Sequence, residues 1–362
     1  MRWIGRWIRR LLLLTLLLFL VSASPILYVE KECRVANPPA PVKSAFAVAD
    51  PAYQRAEGDS YLSYPEWYIV HVYVDLAAVT RQSSESSFDY LTSIFGFWRS
   101  LCANTQVAES RGPVSFDQRS IDYVIGASFT VEMLVIGGYE RTLGALGVWA
   151  RGPTRTPEDA FALEVADGFA ASLGQTPWYQ YPFLPTLKRF WAETPIGDVS
   201  LARSLERRFA LTLEYGGKGL YAIPIGAMAG TLPPGTSIQT IVKGLDVSDL
   251  AADLRIHKLK DLGDGAVLIE TQRYQELTEI LVALAGKGRQ VLEIAGSHHI
   301  LTTVTGPETW AVPEGGRLLF TLPIQSAPGT RRFGVDVDVA SLTAFILATQ
   351  KAGAKFEHVY DP

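Results

Sequence analysis

The sequence predicts an α+β protein carried behind an N-terminal membrane anchor, and three observations predict it. Leu11 to Val29 is an apolar run without a charge, preceded by Arg2, Arg6, Arg9 and Arg10. From about residue 60 to 232 the apolar residues recur at helical spacing. After Pro233-Pro234-Gly235 the pattern changes to alternation, the signature of strands.

The 19 residues from Leu11 to Val29 are enough to cross a ~30 Å hydrocarbon core at ~1.5 Å per residue. Arginines on the N-terminal side hold that end in the cytoplasm, so the rest of the chain is expected outside: single-pass, and periplasmic in a bacterium. A cleaved signal peptide is the rival reading, because Ser22-Ala23-Ser24 is a small-residue pattern. Pro25 after that bond, and the continuation of the apolar run past it, favour an uncleaved signal-anchor over residues 1–29. Charged residues are 19 % and mean hydropathy is +0.13, so some helices of the body are expected to touch lipid. A net charge of −4, with scattered basic residues, argues against a nucleic-acid partner. Cys33 and Cys102 both follow the anchor and are either bridged or two separate thiols.

Residues 30–59, rich in Pro and Ala, read as a linker. A helical domain, a bundle associated with the membrane, is expected over 60–232. Its first helix opens at Ser63-Tyr64-Pro65-Glu66, a capping-box pattern, and runs to about Val79. Others are expected at Phe88 to Val107 and at Ile121 to Trp149, the latter broken at Gly137-Gly138. That third helix fits a buried core element better than a second span. Thr156-Pro157-Glu158-Asp159 starts a helix to Leu173, Trp178 to Trp191 forms an aromatic elbow, and a last helix covers Val199 to Gly219 with an apolar continuation.

Residues 236–362 are expected to fold as an independent α+β domain. Strands are expected at 238–243, 254–259, 266–271, 291–295, 300–305, 318–324, 333–339 and 355–360, with helices at 274–285 and 341–352. Within them a pattern repeats: strand, helix, Gly288 and a strand at Val291, then strand, helix, Gly353 and a strand at Phe356. In tandem these make βαββαβ, which resembles the ferredoxin-like split βαβ arrangement over 266–362.

Two sets of residues are candidates for chemistry. Thr130-Val131-Glu132 with Gly137 and Tyr139 is echoed by Thr212-Leu213-Glu214 with Gly219 and Tyr221. Two carboxylates on apolar helices can face one another and hold a ligand or metal; the bland alternative pairs each with an arginine such as Arg141 or Arg208. The second set is Glu293, His298, His299 and His358, brought together if strands of the two halves are neighbours; at most one of the adjacent histidines faces any one pocket. Glu66 and His71 are five apart, off a shared helical face. No GxSxG, HExxH, P-loop, CxxC or strand-following GxGxxG occurs. The expected function is a membrane-anchored extracytoplasmic module that binds a protein or small molecule; the alternative is a carboxylate-based enzyme, metal-dependent or not, with its site among the helices. The sequence names no cofactor.

Overall fold

The computed structural model describes residues 2–40, 54–173, 176–196, 199–229 and 237–361. It is a mixed helix and sheet protein with its strands at the C-terminal end. Two compact units divide it: residues 1–66, 95–131 and 235–362 form the first, and 67–94 with 132–234 the second. Residues 41–53 of the expected linker, and the Pro233-Pro234-Gly235 boundary, fall outside the described residues.

In the first unit α1 (Arg2–Glu32) is one continuous helix through Pro25. Its C-terminal end is fastened. Cys33 is bridged to Cys102, which decides between the two readings of the cysteines. Glu30 accepts from Tyr123 at 2.7 Å and Arg119 at 3.2 Å, while Arg34 spans Glu30 and the buried Glu109 at 3.1 and 3.0 Å. A single-turn helix, α2 (Asp59–Leu62), follows. Helices α3 (Tyr64–Gln82), α4 (Tyr90–Arg111) and α5 (Phe116–Tyr139) each begin or end in one unit and finish in the other.

The strands are β1 (Ser237–Lys243), β2 (His257–Gly263), β3 (Ala266–Gln272), β4 (Gln290–Ile294), β5 (His299–Pro307), β6 (Gly316–Pro323), β7 (Thr330–Asp338) and β8 (Lys355–Tyr360). They form two antiparallel four-stranded sheets, ordered β2-β3-β1-β4 and β6-β7-β5-β8. The expected single sheet is therefore corrected. The two repeats seen in the sequence do not supply half a sheet each, because each recruits two preceding strands and completes a sheet of its own. The order of strands is the same in both. Residues α11 (Gln275–Gly286) and α12 (Leu342–Lys351) follow the third strand of each sheet. Leu277, Leu281, Val304, Val335, Phe345 and Ile346 share one continuous core drawn from both repeats. The joint is reciprocal: Thr278 Oγ1 of α11 accepts from Val359 N–H at 3.0 Å, and Thr343 Oγ1 of α12 accepts from Val291 N–H at 3.3 Å. The two threonines stand 65 positions apart in matching Leu-Thr pairs.

Strand β2 starts later than expected because Asp253 and Arg255 close a local turn, with Arg255 Nη2 2.8 Å from the Asp253 carboxylate. A short helix, α10 (Val247–Ala252), was not expected. Its capping box uses Asp246 and Asp249, an acid where Glu or Gln is the usual signal. The sheets also depend on residues far upstream in their unit. Ser60 Oγ donates to Tyr360 O at 2.6 Å and Tyr64 packs on Phe320 with ring centroids 4.8 Å apart.

The second unit holds most of α3, a π-helical turn Glu140–Gly144, α6 (Ala145–Arg151), α7 (Pro157–Leu173), α8 (Phe183–Glu193) and α9 (Leu201–Ala229). The expected break at Gly137-Gly138 is absent, since Gly137 is a packing glycine: a Cβ there would lie 2.7 Å from Tyr90. The irregularity comes three residues later, at the π turn. Among the described residues, the stretch Phe116–Arg151 is long and apolar enough to cross a membrane, with mean hydropathy 1.4 over its most apolar window, a property core helices share. The aromatic elbow contains α8, whose Phe183 and Phe190 are buried.

Candidate functional site

Glu132 on α5 and Glu214 on α9 do come together, through a residue the sequence reading did not choose. Lys218 Nζ lies 3.0 Å from an oxygen of each. Tyr73 donates its hydroxyl to Glu132 at 2.5 Å. The ammonium also stands over three rings, 5.0 Å from the centroid of Tyr73, 5.4 Å from Phe169 and 5.9 Å from Phe183. Both carboxylates remain about one-third exposed, so this is a partly wet cluster. The expected arginine partners go elsewhere: Arg141 points to Ser86 O at 3.5 Å, and Arg208 binds Glu158 at 3.0 Å. Lys218 was legible as the i+4 neighbour of Glu214.

Neither tyrosine of the echo joins them. Seven residues is two helical turns, or ~10 Å along the axis, beyond the reach of a shared site. The Tyr139 hydroxyl is buried without a hydrogen-bond partner, and the half-exposed Tyr221 stacks on Trp178 at 5.6 Å.

A second charged cluster, unforeseen, is built on the first half of α9. Arg203 and Arg207 are four apart and point inward together, 0 and 2 % exposed. Arg207 reaches Glu85 at 2.7 Å and Glu140 at 2.8 Å, and Arg203 reaches Asp159 at 2.9 Å and Glu206 at 2.6 Å. Arg151 adds to Asp159 at 3.2 Å. Burying so many ions is tolerable only because nearly every charge has an opposite neighbour. The backbone makes room for them. The π turn carries Glu140, and a Cβ at Gly144 would sit 2.2 Å from its Oε2; one at Gly147 would sit 2.7 Å from Glu206.

Between these clusters the second unit has a small, open-mouthed cavity of ≈ 70 Å³. Its walls are apolar, including Leu76, Ala77, Ala162, Val165, Phe169 and Leu211. Polar groups line it at Tyr73, Glu214 and Lys218 on one hand and at Glu85, Glu140 and Arg207 on the other. Three carboxylates thus face two cations. Glu140 Oε2 is buried with no hydrogen-bond partner.

The second candidate set is not assembled. Glu293 lies on β4 and His358 on β8, and these strands belong to different sheets. His358 is buried with Nδ1 3.2 Å from Thr278 Oγ1; burial pulls its pKa down to about 3, which Glu357 only partly offsets, so it is neutral. His299 joins a cluster that sequence reading missed, centred on Asp336. Its Nδ1 is 3.6 Å from Asp336, which also takes Tyr61 OH at 2.6 Å, Arg111 at 2.9 Å and Arg317 at 3.0 Å. Burial alone would raise the Asp336 carboxyl, but the donors from His299 and Tyr61 and the charge of Arg111 hold it well below the usual range. His298 gives its backbone N–H to Glu57 at 3.0 Å. Among the described residues no three His, Cys, Asp or Glu side chains are grouped to hold a metal ion.

No protein-family model, no curated protein and no solved structure matches the chain, so the site is read from its own geometry.

Proposed function

We propose that the chain is a membrane-anchored extracytoplasmic binding module whose ligand occupies the cavity of the helical unit. The observation that carries this is the cavity itself: apolar walls with fixed ion pairs at its polar positions, the usual constitution of a small-molecule site. The excess of carboxylate over cation suits a small amphiphile with an apolar tail and a cationic head. Support for the anchor comes from α1, which is unbroken and leaves Leu12, Leu13, Leu16, Leu17 and Leu20 more than half exposed behind its arginines. The Cys33–Cys102 bridge fits an oxidising compartment. Each C-terminal sheet is read as a ferredoxin-like unit, supported by the shared 2-3-1-4 strand order, so that the sheet region is a duplication.

The test is a thermal titration of detergent-solubilised protein with n-hexylammonium and, in parallel, hexanoate. Hexylammonium is expected to raise the melting midpoint and hexanoate to leave it unchanged, with both inert on Ala162→Phe, which fills the cavity. Equal response of wild type and Ala162→Phe would remove the cavity from the account. The second reading, a carboxylate enzyme, is favoured by the presence of Glu140 and Glu214 among the residues that line the cavity. It requires the bound molecule to be recovered chemically changed, and Glu140→Gln to stop that change while binding persists.

A further inference from the structure

Helix α9 is built inside out. Arg203, Arg207 and Arg208 are buried, and Glu206, Glu214 and Lys218 are at most half exposed and paired. The residues on its outer side are Leu201, Leu205, Phe209, Leu213, Leu220 and Ile223, each more than half exposed, and no charged residue from 201 to 227 is exposed with them. In water the opposite arrangement is the stable one, because an apolar stripe hides and charges are solvated. The stripe also has a length and two ends. Leu201 to Tyr221 is twenty steps, which at ~1.5 Å each makes about 30 Å, the thickness of a hydrocarbon core. Tyr221 stacks on Trp178 at one end. At the other stands Trp149, 82 % exposed, two residues after Gly147, whose α-carbon abuts Arg203 and Glu206. Aromatic residues at both ends of an apolar band are the mark of two membrane interfaces.

We propose that the outer face of α9 lies against bilayer hydrocarbon, so that the helical unit is embedded in the membrane and its arginine–carboxylate cluster is the polar interior of that embedded body. The inference deepens the membrane reading above and rests on it. Leu143 and Leu146, also more than half exposed beside α9, extend the same apolar surface. Ionisable residues at membrane depth face the bundle interior and pair with one another, which is the disposition of Arg203, Arg207, Glu140 and Asp159 here.

The experiment uses the full chain in phosphatidylcholine–phosphatidylglycerol vesicles, with a nitroxide attached in turn at Leu205→Cys, Leu213→Cys and Leu220→Cys, and at the solvent-facing controls Glu164→Cys and Lys188→Cys. The two native cysteines are bridged, so only the new thiol reacts. Variants are compared only where their melting midpoint matches that of the wild type, and three stripe positions leave the test standing if one fails. The expected result is a ratio of oxygen to nickel-chelate collisions roughly tenfold higher at Leu213, near the centre of the band, than at Glu164, with Leu205 and Leu220 between. Ready access of the nickel chelate to the stripe overturns the proposal, and so does exclusion of both reagents, which would mean that a protein surface covers it. Protein found in the soluble fraction sinks the membrane reading itself; membrane-bound protein whose stripe reports water sinks only this inference.

Discussion

At the scale of single residues, the charges of the helical unit are held in two different ways, and substitution separates them. Lys218 joins two carboxylates that keep some access to water, so Lys218→Met is expected to cost about 1 kcal/mol or a little more, and Glu214→Gln less. Arg207 is fully enclosed; Arg207→Met strands Glu85 and Glu140 and is expected to cost about 3–5 kcal/mol. Denaturant melts of the three variants check that order, and an equal loss for Lys218→Met and Arg207→Met would contradict it. In the other unit His358 gives a pH signature. Its folded pKa, about 3, lies below the ordinary 6.5, so the unfolded chain takes up a proton first. Stability is therefore whole above pH 6.5 and falls as the pH drops toward 3, at up to about 1.4 kcal/mol per unit. Asp336, also depressed, adds to the loss at the acid end, below its ordinary range. His358→Gln should flatten the segment between pH 6.5 and 4.5 in urea midpoints; an unchanged slope there would show that the imidazole titrates normally.

At the scale of elements, much was legible because local chemistry and fold agreed. Thr156-Pro157-Glu158-Asp159 carries a cap, a proline and two acids, and α7 starts there. The repeat of strand, helix, glycine and strand was visible as Gly288 and Gly353, which end α11 and α12 with positive φ. What the repeat could not show was its pairing. Partners of a strand are set by residues elsewhere in the chain, so the same pattern fitted one shared sheet or two separate ones. The candidate pair Glu132 and Glu214 was legible as an echo, whereas the buried arginines were not, because inward-facing charge on an amphipathic helix reads as outward-facing until the helix is placed. The π turn was hidden for a similar reason. Its two small residues, Gly144 and Gly147, look like ordinary weak spots but clear space for Glu140, Glu206 and Arg203. Gly144→Ala should destabilise the helical unit, and it should cost less when introduced into Glu140→Ala than into the wild type, since the clash is with that carboxylate. An equal cost in both backgrounds would trace it to the backbone rather than to the acid.

At the scale of the molecule, two cross-connections limit how it can be dissected. The Cys33–Cys102 bridge ties the end of α1 to α4, so a cut placed after residue 33 does not free α1 until the bridge is reduced. Ser60, Tyr61 and Tyr64 bind Tyr360, Asp336 and Phe320, so a fragment beginning at 236 lacks part of its own core and is expected to melt at lower temperature than the same sheets in the full chain. The central claim concerns what the cavity holds, and native mass spectrometry of the full chain as isolated from the cells that make it tests it most directly. The account predicts one small, basic, amphiphilic molecule per chain in the wild type and none in Ala162→Phe. An empty wild type, or the same adduct on both proteins, would contradict it.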